Sequence, residues 1–247
     1  MYQFFIESAQ ISDGHVTITG SDYNHMKNVL RLEPGEKFYA ALEADRPRKY
    51  ICTVENYLDQ AADCRMISEE TESHELPCTI TLYQGLPKAD KLEWIIQKAV
   101  ELGVSRIVPV TMERSVVKLD ARKAEAKLAR WQSIAQAAAK QSKRDVIPEV
   151  GSVLKFQEAL AQAGEAQVKL LPYENARGME AARELLHAIE PGESIAVFIG
   201  PEGGFSSKEV DAALAAGVKP ITLGRRILRT ETAAVAVLAM LSYELEM

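Results

Sequence analysis

Apolar residues follow two different rhythms along this chain. Up to about residue 70 they come in short runs broken by turn formers: Phe4–Ile6, Val16–Thr19, Lys37–Leu42 and Tyr50–Val54, with Asp13-Gly14 and Pro34-Gly35 between runs. This pattern predicts a small β-barrel, interrupted by one short helix between Asp22 and Leu32 that carries His25, Lys27 and Arg31. The polar stretch Ser68–Glu75 reads as a linker. From Cys78 onward strands and helices alternate. Thr79–Tyr83 leads into a helix with apolar Leu92, Ile95, Ile96, Ala99 and Leu102, stopped by Gly103. Ile107–Val110 is the next strand, followed by a helix starting near Asp120 that buries Leu128, Trp131, Ile134 and Ala138. Val168–Leu171, Ile195–Ile199 and Ile221–Leu223 complete the strands. Ser206 and Glu209 form a capping box for a helix closed by Gly217, and Thr230 is expected to cap a final apolar helix reaching Tyr243. The alternation predicts an α/β fold, a mainly parallel sheet covered on both faces, after a small N-terminal β domain. The expected domains are residues 1–72 and 73–247. No internal repeat or low-complexity tract occurs.

Two strand exits near the C-terminus carry the chemistry: Ile195-Ala-Val-Phe-Ile-Gly-Pro-Glu-Gly-Gly204 and Pro220-Ile-Thr-Leu-Gly-Arg-Arg-Ile-Leu-Arg-Thr-Glu-Thr-Ala233. Glycine at such an exit lets the backbone approach a ligand, and the following helix offers unpaired N–H groups. Together they predict one composite pocket at the carboxyl ends of neighbouring strands. The first loop lacks the Lys-Ser/Thr pair of a P-loop, and neither has the Gly-x-Gly-x-x-Gly spacing of a dinucleotide site. An adenosine-type ligand held by main-chain groups fits better, and S-adenosylmethionine is one.

Charge sharpens this reading. The formal net charge is −6, yet Arg114 to Arg144 holds nine Lys or Arg, Lys118 among them, against Asp120 and Glu125. That segment is therefore +7 and the remainder −13. With screening over about 8–10 Å at physiological salt, such a patch can hold phosphates despite an acidic whole. Trp131 lies on the apolar face of its helix and is expected in the core rather than as a stacking platform. Cys52, Cys64 and Cys78 show no Cys-x-x-Cys spacing, which suits reduced thiols. His74 and Cys78 supply at most two metal ligands, so no metal is expected, and His15, His74 and His187 are read as structural. No apolar run approaches the roughly 20 residues of a membrane span, and the first residues lack a signal-peptide pattern. A cytosolic protein is expected.

Six separated motifs, in order, are similar to a known family: Gln97-Lys-Ala-Val-Glu-Leu-Gly103, Glu113-Arg-Ser115, Arg130-Trp131, Gln141 with Arg144, Ile199-Gly-Pro-Glu-Gly-Gly204 and Leu223-Gly-x-x-Ile-Leu-Arg-Thr-Glu-Thr-Ala233. They resemble the small-subunit (16S) ribosomal RNA uridine-N3 methyltransferases of the SPOUT class. The resemblance implies a C-terminal domain with a trefoil knot, an N-terminal PUA-like RNA-binding barrel, and a homodimer. It further implies S-adenosylmethionine held by Leu171, Pro172, Gly200, Pro201, Glu202, Gly203, Leu223, Gly224, Ile227, Leu228, Thr232 and Ala233. RNA contacts would fall on Lys27, Arg31, Arg114, Gln141 and Arg144, probing 16S RNA in the small subunit. Two positions depart from the family pattern: Gln3 stands where an arginine is usual, and Lys140 where glutamate is usual.

Methylating uridine N3 requires loss of a weakly acidic proton and stabilisation of the charge delocalised onto the flanking carbonyls. Arg229 suits that stabilisation as a permanently protonated fork of donors. Glu231 is a candidate base or orienter, although a carboxylate in a helix's first turn also answers the helix dipole. Glu202 can equally be a carboxylate that structures its loop. Three other readings stand beside this one. A ribose 2′-O-methyltransferase would need to activate a hydroxyl. A non-catalytic RNA-binding or assembly factor would keep the pocket only as scaffold. A small-molecule transferase would leave the +7 segment without a role.

Overall fold

The computed structural model describes residues 1–43, 48–117, 121–176 and 178–246. The chain divides into two compact units, Met1–Glu75 with Ala139–Val146, and Leu76–Ala138 with Ile147–Met247.

The first unit is built on β1 (Gln3–Ile6), β2 (Ile11–Ser12), β3 (His15–Thr19), β4 (Lys37–Leu42), β5 (Arg48–Leu58) and β6 (Ala61–Glu70). They form one six-stranded sheet in the order β1-β4-β5-β6-β3-β2, antiparallel except for the parallel β1–β4 pair. Alternating residues point to one core: Phe4 and Ile6, Val16 and Ile18, Phe38, Ala40 and Leu42, Cys52 and Val54, Ala62 and Cys64. Because strands from both ends of the path share that core, the sheet curls around it. The helix expected from Asp22 is an α-helical turn, α1 (Gly20–Asn24), running into a π-turn at His25–Val29, with Met26 plugging the core. The linker expected over Ser68–Glu75 is corrected at its start, since β6 continues to Glu70 in register with β5.

The segment Ala139–Val146 is stitched into this unit by polar groups. Gln3 Nε2 donates to Arg144 O at 2.6 Å, and Lys140 Nζ meets Asp22 at 2.7 Å. Lys49, only 3% exposed, pairs with Asp145 and donates to Lys143 O. Asp145 also accepts from the His74 amide and the Ser73 hydroxyl. Burial alone would raise the Asp145 pKa, but these bonds and the Lys49 charge outweigh it and hold the carboxyl below its usual range.

The second unit is a seven-stranded, wholly parallel sheet: β7 (Thr79–Gly85), β8 (Arg106–Thr111), β9 (Glu149–Val150), β10 (Leu154–Lys155), β11 (Val168–Pro172), β12 (Ser194–Ile199) and β13 (Lys219–Ile221). Its order is β10-β8-β7-β12-β11-β13, with β9 beside β8. The helices are α2 (Lys91–Glu101), α3 (Ala121–Ser142), α4 (Phe156–Gln162), α5 (Met179–His187), α6 (Ser207–Ala215) and α7 (Thr230–Leu245). On one face Phe156, Ala159 and Leu160 of α4 and Val210 and Ala213 of α6 pack on Tyr83, Val108, Val110, Ala196 and Phe198. The intervening strand residues Ile80, Leu82, Ile107 and Val197 are equally buried, and α2 packs on α7. The expected two-sided parallel sheet is therefore present. Trp131, 2% exposed, is core as expected, together with Ala138, while Leu128 and Ile134 are half-buried. Lys118 and the expected helix start near Asp120 lie outside the described residues.

Candidate active site

In the second unit β12, β11 and β13 lie side by side and run the same way, so their carboxyl ends open together. A cavity of about 420 Å³ sits there, walled by Pro172–Glu174, Ile199–Phe205, Thr222–Thr230, Lys91 and Ala233. This size lies within the range of small-molecule sites. The two glycine-rich exits meet in it as expected, but they are not adjacent: β11 separates β12 from β13 and adds its own exit, Tyr173 and Glu174.

Glycine is needed where loops touch. A Cβ on Gly85 would lie 2.6 Å from Pro201 N and 2.9 Å from Gly200 C, so only hydrogen lets β7 pass beneath the loop. Gly224 has φ +119°, open to glycine and costly for other residues. The Gly200 carbonyl is fixed by Thr230, whose hydroxyl donates to it at 2.6 Å and accepts from Gln84 Nε2 at 2.9 Å. Thr230 is therefore not the cap it was expected to be. Arg229 occupies the N-cap position of α7 without a side-chain cap, and the Thr230 hydroxyl is spent inside, tying α7 to β7 and the β12 exit. The Ser206–Glu209 capping box is formed as expected, and Glu209 also accepts from the Glu113 amide at 2.8 Å.

Electrostatics at the rim centre on Lys91. Its Nζ lies 3.3 Å from Glu202 Oε1 and 3.2 Å from Glu231 Oε2, joining the β12 exit to the first turn of α7. Glu231, and then Glu202, raise the Lys91 pKa against partial desolvation. Partial burial pushes Glu202 upward, but donated bonds from the Lys88 amide, its own backbone amide and Lys91 leave it below the usual carboxylate range.

Residues 74–242 match the RNA methyltransferase domain family, and residues 18–46 match the RNA methyltransferase PUA domain. Over its whole length the chain is 36% identical to Ribosomal RNA small subunit methyltransferase E of Bacillus subtilis (strain 168), with 98% of that relative covered. The chain belongs to the RNA methyltransferase family. Another similar relative, Ribosomal RNA small subunit methyltransferase E of Synechocystis sp., is 32% identical across 99% of this chain and 78% of its own length. Among solved structures, that of a Ribosomal RNA small subunit methyltransferase E from Neisseria gonorrhoeae bound to S-adenosyl methionine superposes with a TM-score of 0.82 at 34% identity, covering 97% of this chain and 96% of that one.

Measured against this RNA methyltransferase fold, most of the expected pocket residues line the cavity: Pro172, Gly200, Pro201, Glu202, Gly203, Leu223, Gly224, Ile227, Leu228, Arg229 and Ala233. Leu171 does not, because it is fully buried in the sheet core, and Thr232 is exposed outside the walls. Glu231 is not a wall residue; it reaches the site only through Lys91. Lys91, Tyr173, Thr222, Arg225 and Arg226 were missed by sequence reasoning. Lys91 had a signal, as the second of two lysines, after Lys88, in the short stretch from the β7 exit to the start of α2. Tyr173 had none, since it follows an ordinary core strand.

The expected RNA contacts are distributed differently from their sequence order. Lys27, Arg31, Gln141 and Arg144 all fall in the first unit. Lys27 is exposed, 2.8 Å from the Tyr23 hydroxyl, with its ammonium over the Tyr23 and Tyr57 rings. Arg31 and Gln141 are exposed. Arg144 is corrected: at 3% exposure, with Nε 3.0 and 3.1 Å from the Glu75 carboxylate oxygens, it anchors its segment rather than offering a cation to solvent. Gln3 is likewise internal. Arg114 is exposed in the second unit and donates to Gly203 O at the cavity loop. His15, Asp63 and Glu55 cluster on the first unit's strands, where His15 bonds Asp63 and Arg65 pairs with Glu55. Among the described residues no helix is long and apolar enough to cross a membrane.

Proposed function

We propose that this protein transfers a methyl group from S-adenosylmethionine to N3 of a uridine in 16S RNA of the small ribosomal subunit. The observation that carries the reading is the glycine-walled cavity at three parallel strand ends with Arg229 on its wall and at the N-terminal end of a 16-residue helix. The cavity suits an adenosine-type ligand, because the glycines leave backbone groups at its surface and no lysine-serine pair is present for a phosphate chain. When bound, S-adenosylmethionine supplies an electrophilic methyl on a sulfonium.

The residues do the rest. Pro172, Gly200–Gly203 and Leu223–Leu228 hold the ligand through close backbone approach and fix the direction of attack. With the cofactor bound, the uracil N3 proton would pass to water and N3 would take the methyl group, the sulfonium leaving as a neutral thioether, while the Arg229 guanidinium meets the negative charge on the flanking carbonyl oxygens. The positive end of α7 acts in the same sense. Lys27, Arg31, Arg114 and Gln141 serve to position RNA, while Arg144 contributes by anchoring its segment. A knotted threading of the second unit and pairing of two copies belong to the same reading. The exposed Met179 on α5 and Tyr243 on α7, two helices that pack together, support such pairing.

The test is methyl transfer from labelled S-adenosylmethionine to unmodified small ribosomal subunits, followed by nucleoside mass spectrometry. N3-methyluridine is expected, with Arg229→Ala lowering kcat about 100- to 1,000-fold while cofactor affinity holds. A methylated ribose, or cofactor binding without any methylated nucleoside, would sink the uridine-N3 reading.

A further inference from the structure

Four charged groups at or beside the cavity rim stand in an unequal relation. Lys91 touches two carboxylates, Glu202 on the β12 exit and Glu231 in the first turn of α7. Arg229 shares the cavity wall with Glu202 and is two residues from Glu231 along the chain. Yet among the described residues no hydrogen bond or ion pair engages the Arg229 guanidinium, whereas both nearby acids are committed to the lysine. A guanidinium and a carboxylate within reach ordinarily form a bidentate pair, stronger than the point contact an ammonium makes. Here both carboxylates are held by the lysine instead. Lys91 stands at the first position of α2 and lies between the two acids. Glu202 Oε1, the oxygen that meets Lys91, also accepts from the Lys88 amide at 3.1 Å.

We propose that Lys91 is a positioning residue for methyl transfer: by holding Glu202 and Glu231 together it keeps Arg229 unpaired and turned to the substrate's developing anion. This rests on the role given to Arg229 above. A carboxylate released toward Arg229 would act twice. It would occupy the donors that the uracil oxygens need, and it would bring negative charge toward the anion being formed. The lysine thus acts through the acids it holds, not through contact with the substrate.

A mutant cycle separates this from every simpler role. Lys91→Met keeps the apolar stem and removes the charge. In the natural background it should lower kcat about tenfold or more. In a Glu202→Gln/Glu231→Gln background, where no carboxylate can capture Arg229, the same change should cost less than about threefold. The second readout needs no turnover: phenylglyoxal modification of Arg229 in cofactor-free protein, read by peptide mass spectrometry. The rate should fall in Lys91→Met and return when both glutamines are added. Equal losses of kcat in both backgrounds would mean that Lys91 works by its own charge or by holding the fold, and would overturn the proposal. Activity is compared within each background, because Glu202 also lines the cofactor cavity; where the Glu202→Gln/Glu231→Gln reference turns over too slowly to compare, a labelling rate unchanged by Lys91→Met overturns the proposal. If Arg229→Ala stays fully active, the reading of Arg229 is what has failed. The labelling rates then decide alone whether the lysine keeps that arginine unpaired.

Discussion

Replacing Thr230 by valine keeps the outline of the side chain and removes one hydroxyl, which makes it a clean probe of how the site is held. Thr230 is 5% exposed, and its Oγ1 makes two bonds, to Gly200 O at 2.6 Å and from Gln84 Nε2 at 2.9 Å. In valine the Gly200 carbonyl loses this donor, at a cost of about 1–3 kcal/mol for a buried acceptor left unsatisfied. The Gln84 amide is less exposed to the change because Nε2 also donates to Gly85 O at 3.0 Å, so its share is about 1 kcal/mol. The expected loss is therefore about 2–4 kcal/mol, or about 5–12 °C in the midpoint of the second unit by calorimetry. Thr230→Ser, which keeps the hydroxyl, should lose about 1 kcal/mol or less. Affinity for S-adenosylmethionine, measured by titration calorimetry, should fall about threefold or more in the valine protein as the Gly200 loop populates other positions. A cap residue would behave differently: its loss would cost about 0.5–2 kcal/mol and show no coupling to Gln84. A valine protein melting within about 2 °C of the natural one, with unchanged cofactor affinity and additive behaviour with Gln84→Leu, would refute the tie.

Gly85→Ala places a methyl 2.6 Å from Pro201 N, against backbone that has nowhere to retreat, and should destabilise the second unit by about 1–3 kcal/mol and weaken cofactor binding, both measurable in the same calorimeter. Asp145 has a folded pKa below its ordinary value, so the stability it contributes is present above that ordinary value and is lost as pH falls through the folded one. Asp145→Asn should therefore melt well below the natural protein at neutral pH, with the gap closing on acidification; a gap that is constant with pH would contradict the Lys49–Asp145 account. Burial pushes the Cys52 and Cys64 thiols up to about 12, so Ellman's reagent at pH 8 should label neither until the first unit opens in denaturant.

The two rhythms of the sequence became the two kinds of sheet, and the reason lies in what each strand buries. Strands of the second unit are covered on both faces, so Ile195–Ile199 and Ile107–Val110 are continuous apolar runs that stand out from their surroundings. In the first unit β1 is buried throughout, whereas β6 buries one face only, and faintly. Ala61–Glu70 buries Ala62 and Cys64, with Met66 half-buried and Ile67 exposed, and its polar end Ser68-Glu69-Glu70 resembled the start of a linker. Its place is fixed by pairing with β5 and β3, which no local pattern reveals. The segment Ala139–Val146 is harder still. Its ties to Gln3, Asp22, Lys49 and Glu75 span 69 to 141 residues of chain, so they are properties of the fold alone.

For the site, the distinction is between what glycine announces and what ion pairing conceals. Glycine loops and a helix start are local features, and they placed the cavity correctly. A charge is ambiguous in sequence because its partner is not written beside it. Arg144 and Arg229 looked alike as motif arginines, yet one is sealed against Glu75, and the other lies on the cavity wall with no ion pair among the described residues. Glu231 looked like a base beside Arg229, yet its carboxylate is held by a lysine 140 positions earlier. Thr230 looked like a cap and instead spends its hydroxyl on Gly200, 30 residues back, and on Gln84, 146 back. Arg229, Glu231 and Thr230 sit where β7, β12 and α7 converge, and convergence of distant segments is what the parallel sheet supplies. The same convergence explains why the cavity can be rigid although its walls are loops. The Gly200–Gly203 loop is fastened to α7 by Thr230 and to α2 by Lys91, so removing either contact should loosen the site more than its own energy suggests.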